Sequence, residues 1–164
     1  KLLGRIINKV NKAEDYVEKI RIKMDQISDL SYKFQFKPKV YFEEWNDPLI
    51  TGIKWVSELI EIAGGIDIFK NKSFEPLALN RIIKKPSTIV KENPDIIIGS
   101  WCGKKLKKEE ITCRDGWDKI NAVRNNQVYE IKSPLILQPG PAALTDGLDE
   151  IFKIILKWEN FITS

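Results

Sequence analysis

The stretch Lys39–Gly65, KVYFEEWNDPLITGIKWVSELIEIAGG, decides the fold. Lys39–Glu43, with Val40–Phe42 at its centre, reads as a strand. It runs into Glu43, Glu44 and Trp45 and then the turn formers Asn46-Asp47-Pro48. From about Thr51 to Ala63, the residues Ile53, Val56, Ile60 and Ala63 fall on one helical face. Gly64 suits the left-handed position just past a helix end. Strand, decorated loop and helix form the unit of an open α/β sheet, where ligands sit beyond the carboxyl ends of the strands.

Downstream the unit recurs. Pro86–Glu92 reads as a short helix with proline in its first turn. Asn93-Pro94-Asp95 turns into Ile96-Ile97-Ile98, an apolar run suited to a strand buried on both faces. That strand ends at Gly99-Ser100-Trp101-Cys102-Gly103, and a lysine-rich helix is expected over about 104–111. Gly116-Trp117 opens a short helical turn, Asn125-Asn126 turns the chain, and Val128–Ile131 is a third strand. Pro139-Gly140-Pro141 leads into a last helix, about Ala142 to Phe161, with Leu144, Leu148, Ile151, Ile155 and Trp158 on its buried stripe. Between these units, 66–84 is less regular, and Phe69, Phe74 and Leu77 are expected to pack there.

Upstream, Lys1 to about Leu30 reads as one long helix. Leu3, Ile6, Val10, Ala13, Val17, Ile20, Met24 and Ile27 recur in a 3-4 rhythm. Three readings stand for this seam: a helix packed on its own domain, a spine to another domain, or a self-associating coiled coil. Residues 1–37 are thus a long helix with a linker, and 38–164 an α/β domain with a small, mainly parallel sheet flanked by helices.

Composition narrows the function. The chain has 164 residues, enough for one domain with a core, and is 43% hydrophobic and 30% charged. No apolar run is long enough to span a bilayer, and no signal peptide is visible. The chain begins inside a charged, periodic segment, as expected of a fragment or a processed product. The net charge of +4 is mild. The run Lys104, Lys105, Lys107 and Lys108 meets Glu109 and Glu110 at once, which fits a solvated face better than a nucleic-acid surface. Histidine is absent. That removes the commonest general base, the Ser-His and Cys-His nucleophile pairs and His-based metal sites. Two cysteines, Cys102 and Cys113, cannot make a four-cysteine zinc site. They are either a disulfide closing a short loop or two free thiols.

Three loops follow the strands, Glu43–Pro48, Gly99–Gly103 and Ser133–Pro141, and in a parallel sheet they share one edge. The expected ligand contacts are Trp45, Asp47, Trp55, Trp101, Cys102, Gly103, Arg114 and Trp117. Trp45 and Trp101 lie beyond their strands and suit flat, ring-bearing ligands. Trp55 and Trp117 serve equally as helix-to-sheet anchors, and Trp158 reads as core. Adjacent strand residues point oppositely, so Glu43 and Glu44 are not a paired acid and base. Arg114-Asp115 reads as a surface pair. No phosphate-binding loop, catalytic residue or metal site is found.

Four blocks, in order, resemble the substrate-binding proteins of ABC transporters grouped with cobalamin and ferric-siderophore carriers. They are Phe42–Pro48 with Trp55–Leu59 and Ala63-Gly64-Gly65; Asn93–Ile98 with Trp101-Cys102-Gly103; Gly116-Trp117-Asp118 through Tyr129; and Pro139-Gly140-Pro141 with Asp146-Gly147-Leu148. The resemblance covers about Lys39 to the end. It implies a three-layer C-terminal lobe of a two-lobed protein, preceded by the long interlobe helix, with the N-terminal lobe absent. It also implies an extracytoplasmic, non-enzymatic carrier that delivers its solute to an ABC permease and its ATPase. The resemblance further implies an acidic side chain on each lobe that docks on the permease, for which Glu109 and Glu110 are the candidates here. The Trp45 and Trp-Cys-Gly blocks look most like cobalamin carriers, which clamp the corrinoid without a histidine. A ferric siderophore, or a haem with a tyrosine ligand, stays open. No resident cofactor is expected. The competing readings are a flavodoxin-like α/β enzyme fragment, whose phosphate loop is missing, and a module that dimerises through residues 1–30.

Overall fold

A computed structural model describes residues 1–164. The expected single N-terminal helix is two: α1 (Leu2–Ile6) and α2 (Val10–Tyr32). Between them Asn8 takes a positive φ of 52°, a left-handed conformation its short polar side chain tolerates, and the Lys9 amide donates back to the Gly4 carbonyl at 2.7 Å. The apolar seam is buried in its second half, at Ile20 and Ile27, with Met24 packed against the core between them. Leu2 and Leu3 are 71% and 75% exposed, and Ile6 and Ile7 are exposed beside them.

The body continues with β1 (Lys39–Asn46), β2 (Leu49–Thr51), α3 (Lys54–Ile62), β3 (Ile66–Asp67), α4 (Lys70–Ser73) and α5 (Ser87–Glu92). Then come β4 (Ile96–Gly99), α6 (Glu109–Thr112), α7 (Asn121–Arg124), β5 (Val128–Glu130), α8 (Ser133–Ile136) and α9 (Leu148–Thr163). A π turn, Ala143–Gly147, opens into α9. Gly64, with φ 94°, closes α3 as expected.

The three expected strands are present and parallel: β1 pairs β4, and β4 pairs β5. Two short strands extend the sheet along the free edge of β1. β3 runs parallel to its start, and β2 runs antiparallel to its end. β2 makes the Glu43–Pro48 segment a hairpin rather than a loop, so the helix expected from Thr51 begins only at Lys54.

Side chains alternate across the sheet and build two cores. Val40, Phe42, Ile96 and Ile98 pack with α3, α9 and the second half of α2. Tyr41, Ile97 and Val128 pack on the other face with Ile89, Ile111, Trp117 and Ile120. The Ile96-Ile97-Ile98 run is fully buried on both faces, as a strand inside a three-layer sandwich must be. Each such isoleucine contributes about 1.5–3 kcal/mol of hydrophobic stabilisation.

Two local expectations fail. Residues 104–108 are not helical: Leu106 is buried and its amide donates to Glu130 Oε1 at 3.0 Å, which holds the segment across the end of β5. Phe74 and Leu77 are exposed, 57% and 64%, while Phe69, at the start of α4, packs edge-on against Tyr41.

Candidate ligand-binding edge

The carboxyl ends of β1, β4 and β5 lie along one edge of the sheet. Trp45 stands inside β1, opposite Ile50 of β2, so its expected place beyond the strand is corrected. Its ring is half-buried on the second core, and its indole N–H donates to the Asp47 carbonyl at 2.8 Å. Asp47 is exposed at the hairpin tip.

Beneath the edge lies a buried charge cluster. Glu43 has no solvent exposure, and both its oxygens face the Arg114 guanidinium. Arg114 Nη1 donates to Oε2 at 2.5 Å and Nη2 to Oε1 at 2.8 Å, and Trp101 Nε1 adds a 3.1 Å bond to Oε1. The guanidinium carbon lies 4.5 Å from the centre of the Trp117 ring. Arg114 is therefore bound to Glu43, not paired at the surface with Asp115. Glu44 turns the other way, onto Arg81, whose Nη1 also meets the Thr51 carbonyl. Burial, reinforced by the Glu43 charge, raises the Tyr41 hydroxyl well above the usual tyrosine range. The cluster explains two anchors: Trp101 is 2% exposed and Trp117 1%.

The nominated residues do not form one mouth; apart from Trp45, which lines none of them, they divide between two concavities and a distant groove. The larger concavity, about 1100 Å³, lies between the hairpin tip, 82–91 and 114–117, and takes in Asp47, Arg114 and Trp117. The second, about 660 Å³, lies beyond β4 and β5 and is bounded by Trp101, Cys102, Gly103, Lys104, Lys105 and Lys132, with Gln138 at its rim. Gly103 takes a positive φ of 68° there, and Cys102 presents an unpaired, exposed thiol; Cys113 is likewise free. Trp55 lies elsewhere: its Nε1 donates to the Ile136 carbonyl at 2.9 Å, beside Pro139 and Gly140.

Glu109 and Glu110 open α6 and differ in their engagement. Glu109 is exposed and in no ion pair. Glu110 accepts from Lys104 Nζ at 2.8 Å and Asn46 Nδ2 at 3.0 Å, with Lys107 3.7 Å away. The Lys104 hydrogen bond holds the Glu110 carboxyl below the usual glutamate range. The same ammonium stands 4.8 Å from the centre of the Trp101 ring.

The lysines of the second concavity were not foreseen as site residues. The one sequence signal for Lys104 and Lys105 is their position directly after the Trp101-Cys102-Gly103 block; Lys132, just past β5, carries none. No three Cys, Asp or Glu side chains converge on a metal position, and none of the four tyrosines lines either concavity. The edge offers aromatic backing, open backbone and cations.

The model of the periplasmic binding protein family matches residues 1–135. The chain belongs to that family. The ABC transporter substrate-binding lipoprotein YvrC of Bacillus subtilis is 37% identical over 67 residues, 41% of this chain and 20% of YvrC. The high-affinity heme uptake system protein IsdE of Staphylococcus aureus is 25% identical over 138 residues, 79% of this chain and 46% of IsdE. Among solved structures, an ABC transporter substrate-binding protein from Listeria monocytogenes superposes with a TM-score of 0.80 at 22% identity, covering 96% of this chain and 62% of that one. IsdE complexed with heme gives 0.77 at 21% identity, with coverages of 94% and 61%. The structural likeness is one of fold. This periplasmic binding protein chain spans about half the length of the S. aureus relative and three-fifths of the structures it superposes on.

Proposed function

We propose that residues 38–164 are one lobe of the solute-binding component of an ABC importer, and that 1–37 lead to it as a connecting helix. The lobe supplies half of a cleft that captures a metal chelate, of the cobalamin, ferric-siderophore or haem type, and hands it to a membrane permease and its ATPase. The component works outside the cytoplasmic membrane and is not an enzyme. No helix of the chain is long and apolar enough to cross a membrane. The observation that carries the reading is the open concavity of about 660 Å³ beyond β4 and β5, backed by Trp101, in a chain of this family. Its position is where ligands bind in parallel α/β sheets.

The test is a titration of tryptophan emission in the native polypeptide carrying this chain. The probes are cyanocobalamin, cobinamide, haemin and a ferric trihydroxamate. Saturable quenching by one of them is the expected result. Unchanged emission with all four, in a sample folded by circular dichroism, would remove the reading.

One observation favours self-association as a second reading: Leu2, Leu3, Ile6 and Ile7 together expose an apolar patch. Replacing Leu3 and Ile6 by glutamate should then reduce an oligomer to a monomer in size-exclusion chromatography. An unchanged elution volume would exclude this patch as the contact.

A further inference from the structure

The charge of this molecule is not spread evenly. The concavity beyond β4 and β5 sets Lys104, Lys105 and Lys132 against a single acid, Glu130, a formal +2. The concavity beside the hairpin sets Lys84, Lys85, Lys91 and Arg114 against Asp47 and Asp115, again +2. Glu110, which holds Lys104, and Glu43, which holds Arg114, stand just outside these walls and bring each to a formal +1.

The acids separate the two, for both keep unpaired lysines: Lys84, Lys85 and Lys91 beside the hairpin face Asp47 and Asp115, while Lys105 and Lys132 face Glu130 alone. Arg114 is neutralised by Glu43, and the hairpin concavity keeps two acids on its wall. Beyond β4 and β5, the one acid already accepts the Leu106 amide at 3.0 Å. Lys104 is held between Glu110 and the Trp101 ring, while Lys105 and Lys132 are exposed and in no ion pair. Both ammonium groups border the same concavity, so they act jointly on a charge entering it.

We infer that the solute is an anionic metal chelate whose carboxylate or other acid groups are met by Lys105 and Lys132, rather than a neutral corrinoid or a neutral hydroxamate complex. This rests on the reading of the edge as a solute-binding surface. Lys104 stays with Glu110 and shapes the floor.

The experiment compares anionic with neutral probes in the native polypeptide: haemin and ferric citrate against cyanocobalamin and a ferric trihydroxamate. Each is titrated at low and high salt, with the Lys105→Gln/Lys132→Gln double variant in parallel. An exposed ion pair is worth up to about fivefold in affinity. The anionic probes should therefore bind more tightly, lose affinity as salt rises and lose about tenfold or more in the double variant. Affinity for the neutral probes should stay within about twofold, as expected when no ion pair is removed. Tighter binding of neutral chelates, or an anion affinity indifferent to salt and to the two substitutions, would overturn the charge inference and leave the solute-binding reading standing. Failure of all four probes to bind a folded sample overturns both.

Discussion

Glu43 and Arg114 meet end on beneath the sheet edge, two oxygens against two nitrogens at 2.5 and 2.8 Å, with the glutamate wholly out of solvent. Glu43 comes from the central strand and Arg114 from the segment after α6, so the pair ties the sheet to the wall of the larger concavity. Trp101, from the loop after β4, joins the same carboxylate at 3.1 Å.

Breaking this pair from one side leaves an uncompensated buried charge. Arg114→Met should lower unfolding free energy by about 3–5 kcal/mol, because Glu43 is stranded in an apolar core. The double variant Glu43→Gln/Arg114→Met should recover most of that loss, since the uncompensated charge goes with its partner. Urea unfolding of the single and double variants measures both. A double variant as unstable as the single would show that the pair is not what holds these segments.

Lys104 and Glu110 form the exposed counterpart. The hydrogen bond from Lys104 favours the ionised carboxyl, so Glu110 should titrate below the usual glutamate value of about 4.3. A depressed carboxyl contributes stability above its unfolded value and loses it as pH falls through the folded one. In Lys104→Met the Glu110 carboxyl resonance should titrate at a higher pH, followed by carbon NMR. Trp101 emission should shift in the same variant, because the ammonium leaves its ring face. A titration midpoint unmoved by the substitution would mean that Lys104 does not hold this carboxylate in solution.

Glu159 joins the two ends of the molecule. Its Oε1 accepts the Gln35 amide at 2.7 Å and lies 3.4 Å from that of Phe36, fastening the linker after α2 to the end of α9. In Glu159→Ala the two amides should exchange with solvent faster, by about tenfold for each 1.4 kcal/mol of protection lost. Glu159→Gln keeps an acceptor and should restore slow exchange. Hydrogen exchange read residue by residue separates the two outcomes.

The parallel frame was legible because its signals are local. Ile96-Ile97-Ile98 could only be a strand covered on both faces, and Gly64 could only follow a helix. What escaped depended on distant partners. The Thr51 end of the hairpin became a strand because β1 was long enough to pair with it, and three residues carry too little pattern to announce that. Trp45 and Trp101 looked like ligand walls because they follow strand cores. The structure puts Trp45 inside a hairpin and ties Trp101 to Glu43, a residue 58 positions away, while Trp101 still borders the concavity beyond β4 and β5. The N-terminal seam has an unbroken rhythm, yet one asparagine in a left-handed turn divides it. Lysines give no periodic signal, so the basic wall was read as solvated surface until the loops placed it around a concavity.

Asp67 offers a prediction with an unusual sign. It sits in β3, 6% exposed, with Oδ1 accepting the Phe69 amide at 2.9 Å. Burial raises its carboxyl above the ordinary aspartate range. A raised folded-state value means that the protonated form is the one the fold favours. Its contribution is complete below the unfolded value, about 3.9, and is lost as pH rises through the folded one. At neutral pH the ionised side chain therefore opposes folding. Asp67→Asn keeps an acceptor for Phe69 and removes the buried charge, so the variant should be more stable than the parent at pH 7. Its advantage should shrink as pH falls and vanish near about pH 4, where the parent carboxyl is itself neutral. Urea midpoints of both proteins across that range, with equal slopes, would measure the closing gap. A parent that stays the more stable at pH 7 would show that the ionised carboxylate is held by contacts stronger than its burial.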